Sequence, residues 1–194
     1  MSPVKREIRI VGFDDAPFSF RDRETMLIGA VFRGGMWMDG LITSKIRVDG
    51  TDATVKIIGA VNRSPHRQQL RIIMLDGITF GGFNVADIER INAGTGLPVI
   101  AVVREKPDLG AIREALAKFK DSGKRWRLME KAGSLSPLEV VNPKTGKVKN
   151  IWFQNKGIAA EAAGRIIRMS STRSFVPEPL RVAHIIGHGL GCCI

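Results

Sequence analysis

"IRIVGFDDAPF", residues 8–18, decides how the rest of the chain is read. Ile8, Ile10, Val11 and Phe13 describe a strand heading into a core, yet Asp14 and Asp15 follow at once, before Pro17 ends the run. Paired carboxylates at the end of a buried strand either open a turn or stand where a cation is held.

Working outward, residues 25–35 and 36–50 read as two further strands joined by short polar or glycine turns, completing a three-stranded antiparallel meander. A helix is expected over 51–64, with Val55, Ile58 and Val61 on one face, Thr51 or Asp52 as N-cap, and Pro65 just past its end. "QLRIIMLDG" (69–77) is a buried strand that again ends in an aspartate, Asp76. A short helix (84–96) and a strand (98–104) follow. A longer helix begins near Asp108, with Ile112, Leu116 and Phe119 on one stripe and a break expected at Ser122-Gly123. A hairpin over 138–154, turning at Lys144 to Gly146, and helices over 157–170 and 178–190 complete the chain. The order β-β-β-α-β-α-β-α plus additions defines a mixed sheet with helices on its faces, an α/β or α+β domain spanning 1–194.

In such a sheet the first strand commonly lies beside the strand that follows the first helix, which would bring Asp14 and Asp76 side by side. Two adjacent carboxylates repel unless one is protonated or a cation lies between them. Mg²⁺ or Mn²⁺ is held by a few carboxylates with water and phosphate oxygens completing the shell, an arrangement suited to phosphodiester hydrolysis. "VDGTDAT" offers a third acid, either Asp52 or Asp49. Each aspartate also has an ordinary explanation: Asp14-Asp15-Ala16-Pro17 as a turn, Asp76-Gly77 as a turn dipeptide, Asp52 as a helix cap.

Thirty Lys and Arg against 19 Asp and Glu leave a net charge of +11, which attracts polyanions, nucleic acid first among them. The run "KFKDSGKRWRLMEK" gathers Lys118, Lys120, Lys124, Arg125, Arg127 and Lys131 around Trp126, either a track for a phosphate backbone or a solvated helix face with Trp126 packed inward. No apolar run approaches the roughly 20 residues of a membrane span, the N-terminus has no apolar signal region, and two adjacent cysteines make no disulfide framework, so a soluble cytoplasmic protein is expected. "KTGKV" lacks the glycine spacing of a P-loop. His184, His188 and Cys192 are spaced four apart, as zinc ligands on one helix would be, but Gly187, Gly189 and Gly191 argue against that helix persisting and a fourth ligand is missing. His184 reads better as a core histidine or one at the rim of an active site.

"VGFDDAPF", "IIMLDGITFGGFNVADI", "LPVIAVVREKP" and "SFVPEPLRVAHII" together resemble a family of small archaeal proteins of uncharacterised function, related to endonuclease V, the nuclease that nicks nucleic acid beside deaminated purines. The resemblance to the archaeal family spans nearly the whole chain; that to endonuclease V rests on the aspartates ending two strands, the glycine-rich stretch after the second, and the "PEP-L-R-A" pattern. It implies an RNase H-like fold with Asp14 and Asp76 as two metal-binding acids. It also implies that the loop of Gly81, Gly82 and Phe83 lines a base pocket, where glycine permits close backbone approach and the next helix N-terminus favours an anion. The chain departs from endonuclease V in having no tyrosine and no Tyr-Ile-Pro-Gly-like wedge. The residues and the resemblance together point to a Mg²⁺- or Mn²⁺-dependent nuclease acting on DNA or RNA, using Asp14, Asp76 and Asp52, with nucleic acid held by Gly81, Gly82 and Phe83 and by Lys124, Arg125 and Arg127 of the basic run. The alternative is a nucleic-acid-binding protein on the same fold without cleavage. A third acid beside Asp14 and Asp76 would favour the first.

Overall fold

The structure, a computed structural model, describes residues 6–19 and 21–191. Strands β1 (Arg9–Asp15), β2 (Glu24–Arg33) and β3 (Trp37–Arg47) form the meander, and helix α1 (Ala53–Arg63) leads to β4 (Ile72–Asp76). A small ribbon, β5 (Thr79–Phe80) and β6 (Asn84–Val85), precedes α2 (Ile88–Thr95) and β7 (Val99–Val103). Helices α3 (Leu109–Leu116) and α4 (Ser122–Lys131), the hairpin β8 (Ser136–Val141) and β9 (Val148–Lys156), and helices α5 (Ala160–Ser170) and α6 (Glu178–Gly191) follow. The seven-stranded sheet runs β3-β2-β1-β4-β7-β9-β8, with β1, β4 and β7 parallel and the other pairs antiparallel.

The central strands are hydrophobic on both faces because both are covered. Val11, Phe13, Ile73, Leu75, Val99 and Ala101 pack with Ala53, Ile57 and Val61 of α1 and with Ile88 and Ile91 of α2. The alternate residues Ile10, Ile72, Met74, Ile100 and Val102 pack on the other face with Ala163, Ile166 and Ile167 of α5 and Leu180 of α6. Ala183 of α6 reaches Ile28, Ala30 and Phe32 of β2.

Three details differ from the sequence-based reading. Helix α1 turns Ala53, Ile57, Ala60 and Val61 inward and leaves Val55 exposed, because small residues let the helix approach the sheet closely. The expected break at Ser122-Gly123 lies earlier, across residues 117–121, and Ser122 opens α4. Helix α6 runs through Gly187 and Gly189 without a break. Its glycines serve contact: a Cβ on Gly187 would lie 3.1 Å from Ala16 Cα, and one on Gly12 would lie 2.6 Å from Pro179. Helix α6 therefore rests directly on β1, close to the residues that end it. Among the described residues no helix is long and apolar enough to cross a membrane.

Candidate active site

Parallel pairing of β1 with β4 aligns Phe13 with Leu75, so the next residues, Asp14 and Asp76, leave the two strands together. Both belong to the alternate set that faces α5 and α6. Helix α6 crosses there and contributes His184, whose Nδ1 lies 2.8 Å from Asp14 Oδ2. Asp14, Asp76 and His184 each offer a ligand atom within 4.8 Å of the others, the one such group of three among the described residues.

Asp14 is 7 % exposed. Burial, then the nearby charges of Asp76 and Asp15, push its pKa up to about 8. Asp76 and Asp15 are also raised, again chiefly by burial; Arg104 opposes the rise at Asp76, and the Gly81 amide opposes it at Asp15. Arg104 Nη2 lies 3.4 Å from Asp76 Oδ2 and is about half exposed. A crowded pair of carboxylates held reluctantly as anions, with an imidazole beside them, fits a divalent cation. The oxygens suit Mg²⁺, and the added nitrogen is well tolerated by Mn²⁺.

The other sequence-derived candidates lie elsewhere. Asp52 stands at the start of α1 without capping it; its Oδ1 accepts from Asn84 Nδ2 at 2.7 Å and from the Arg47 amide at 3.2 Å. Asp49 adopts a left-handed φ of 52° and accepts from the Phe83 amide at 2.9 Å. Neither joins the Asp14–Asp76–His184 group. The physical reason is the face of the sheet: α1 covers the side away from α6, so acids at its N-terminus approach the wrong surface.

In the glycine loop, the Gly81 amide donates to Asp15 Oδ2 at 3.0 Å and its carbonyl accepts from the Asp49 amide at 2.7 Å. A Cβ on Gly82, whose φ is 86°, would lie 2.4 Å from Asp49 Oδ1. The loop's glycines are thus required for its own fold, with two of its amides already engaged. The N-terminus of α2 is closed too, since Asp87 accepts from the amides of Glu89 and Arg90, so it does not offer the expected anion site. Phe83 is half-buried and stacks edge-on to Phe119 at 5.7 Å.

Arg125, expected at the nucleic-acid surface, is buried at 6 % exposure. It donates to the carbonyls of Asp49 (2.8 Å), Gly50 (3.0 Å) and Phe83 and pairs with Asp121 at 2.8 Å, clamping α4 to the two loops. Lys124 and Arg127 are exposed on the same helix. Trp126 is half-buried rather than packed inward, with its indole N–H donating to Glu130 and Arg113 lying 5.2 Å from its ring. His188 lies against His184 with ring centroids 4.3 Å apart and planes tilted by 51°, while Cys192, the remaining member of the zinc pattern, lies outside the described residues.

An antiparallel β3-β2-β1 meander joined to the parallel strands β4 and β7, with helices on both faces, is the RNase H-like fold. Endonuclease V of Ciona intestinalis, solved with DNA containing an inosine, superposes with a TM-score of 0.55 at 15 % identity over 90 % of this chain and 82 % of that one, showing the shared fold. The chain belongs to the endonuclease dU family, whose pattern it matches over residues 6–191. A UPF0215 protein of Methanothermobacter thermautotrophicus is 52 % identical over 96 % of this chain and 89 % of its own length. A protein of unknown function from Archaeoglobus fulgidus superposes with a TM-score of 0.81 at 34 % identity, covering 94 % of this chain and 97 % of that one.

Proposed function

We propose that the protein is a divalent-metal-dependent endonuclease that hydrolyses a phosphodiester bond near a deaminated base, with deoxyuridine in DNA as the first substrate to examine. The observation that carries this reading is the convergence of Asp14, Asp76 and His184 within 4.8 Å at one end of the parallel strands. The family name supports the choice of deoxyuridine, and the DNA-bound endonuclease V neighbour supports nucleic acid as the partner.

Asp14 and Asp76 would hold Mg²⁺ or Mn²⁺, which when bound supplies charge stabilisation at the phosphate and lowers the pKa of the attacking water. His184 orients Asp14 through the contact at Nδ1. Arg104, only half covered and beside Asp76, is placed to meet phosphate charge entering the site. Helix α6 shields one side of Asp14, so its carboxylate works at low exposure.

A second reading, a nucleic-acid-binding protein without cleavage, draws on the separation of Asp49 and Asp52 from the cluster, which leaves two carboxylates rather than three beside His184. Cleavage assays on uracil-containing, inosine-containing and unmodified DNA and RNA, with Mg²⁺ and with Mn²⁺, decide between them. The nuclease reading expects product from wild type, with Asp14→Asn losing cleavage while retaining binding. Folded, metal-binding wild type that binds these substrates and cuts none of them would establish the second reading.

A further inference from the structure

Two adjoining clefts, of about 650 and 580 Å³, lie where β2 begins and β3 ends, and Arg23 and Glu24 line both. Arg47 lines the first and Lys45 the second. Arg23, Lys45 and Arg47 are exposed, and among the described residues none has an ion-pair partner. Several other cations are engaged: Arg9 and Arg33 with Asp39, Arg104 with Asp76, Lys131 with Asp87 and Glu89. The acids at the cleft are Glu24, which opposes Arg47 across the strands, and Asp22, which accepts from the Ser19 amide.

The clefts adjoin the end of β1 that carries Asp14 and Asp15. Leu27 of β2 pairs with Asp15, and Glu24 lies three residues further along, roughly 10 Å at the rise of a strand. The Val48 amide donates to the Arg23 carbonyl, the Asp49 amide to Gly81, and the Gly81 amide to Asp15. Thr25 Oγ1 donates to the Ala16 carbonyl at 2.9 Å. Hydrogen bonds of the consecutive residues Val48 and Asp49 therefore tie the basic wall to the loop that holds Asp15, the residue beside Asp14. The second cleft adds apolar lining from Pro17, Met26 and Leu190.

The geometry points to a subsite for the nucleic-acid strand that flanks the cleaved bond: Arg23, Arg47 and Lys45 hold its phosphates, and the apolar lining of the second cleft takes a sugar or base. This subsite rests on the proposed nuclease activity and assigns the flanking strand a path over the β2–β3 edge of the sheet. Guanidinium groups without a carboxylate partner bind phosphate oxygens through paired N–H donors, and a cationic wall beside an apolar surface matches a single strand.

The test is fluorescence anisotropy of a labelled, unmodified single-stranded oligonucleotide with metal-free protein between about 50 and 200 mM salt. Arg23→Ala/Arg47→Ala is compared with Arg63→Ala/Arg71→Ala, which removes two exposed charges from the end of α1 and the residue before β4, at the opposite end of the parallel strands. The cleft variant should bind more weakly, with the slope of log K against log salt reduced by about 1.4, or about 0.7 for each phosphate that the protein no longer neutralises. The control variant should keep the wild-type slope. An unchanged slope in the cleft variant, or equal reductions in both, would overturn the subsite while leaving the nuclease reading standing. Wild type that binds no strand at low salt would overturn both.

Discussion

Asp14 and Asp15 are consecutive in the chain and act on opposite faces of the sheet. Asp14 Oδ2 meets His184 Nδ1 of α6 at 2.8 Å, whereas Asp15 Oδ2 accepts from the Gly81 amide at 3.0 Å. Strand alternation sends one carboxylate to the candidate metal site and the other into the loop beside it. The pair is divided by position: one aspartate faces the candidate metal site, the other holds the loop that borders it.

Metal binding should depend on Asp76 and not on Asp52. Isothermal titration with Mn²⁺ is expected to show binding in wild type, none in Asp76→Asn, and a weakening of about 10- to 100-fold in His184→Ala. Asp52→Asn should titrate like wild type, because Asp52 is bonded to Asn84 and stands apart from the cluster. Loss of binding in Asp52→Asn would restore it as a ligand.

Without metal, the protein should become less stable as pH rises from about 4 to about 8. Asp14 holds its proton more tightly folded than unfolded, since its pKa is raised from 3.8 to about 8. Below the lower value both states are protonated and nothing is lost; between the two values the folded state is progressively penalised, on the order of 5 kcal/mol at most. Denaturant titrations at pH 5 and 8 should show this decline in wild type and a shallower one in Asp14→Asn. Saturating Mn²⁺ should reverse it in wild type. A flat wild-type profile would contradict the assignment.

Two glycines of similar appearance should behave oppositely. Gly12→Ala places a Cβ 2.6 Å from the backbone of Pro179 and should destabilise by about 2 kcal/mol or more while displacing α6. Gly189→Ala, where a Cβ meets nothing among the described residues within 4 Å, should be neutral or stabilise by up to about 1 kcal/mol through helix propensity. Thermal melts check both, and Mn²⁺ titration of Gly12→Ala should show weakened binding because His184 travels with the helix.

Arg125 and Arg127 are separated by one residue and should also differ. Arg125→Ala removes a buried guanidinium from three carbonyls and Asp121, with an expected loss of about 3 kcal/mol. Arg127→Ala, exposed and, among the described residues, bonded only to its own helix at Gly123, should change stability by less than about 0.5 kcal/mol. Urea unfolding measures both, and similar values for the two would mean that the clamp contributes little.

Much of this protein was determined by its sequence alone. The meander, the crossover through α1 and the return of β4 beside β1 follow from apolar runs, turn residues and the preference of a strand-helix-strand unit for neighbouring positions, and these bring Asp14 beside Asp76. Even the division between Asp14 and Asp15 is implicit in a period of two along β1, because Val11 and Phe13 face the α1 side with Asp15. The third member of the site was not legible in that way. Asp52 and Asp49 are near in sequence to the right strands, but α1 carries them to the other face, while His184, 170 residues from Asp14, arrives only because Gly12 and Gly187 let α6 lie against β1. Arg125 gave the same lesson: its charge marks it as a surface residue, and only the meeting of α4 with two distant loops supplies the carbonyls that bury it. Local chemistry determines where a strand or helix begins and which way its side chains alternate; which helix crosses which strand depends on long-range packing between residues that no local pattern connects.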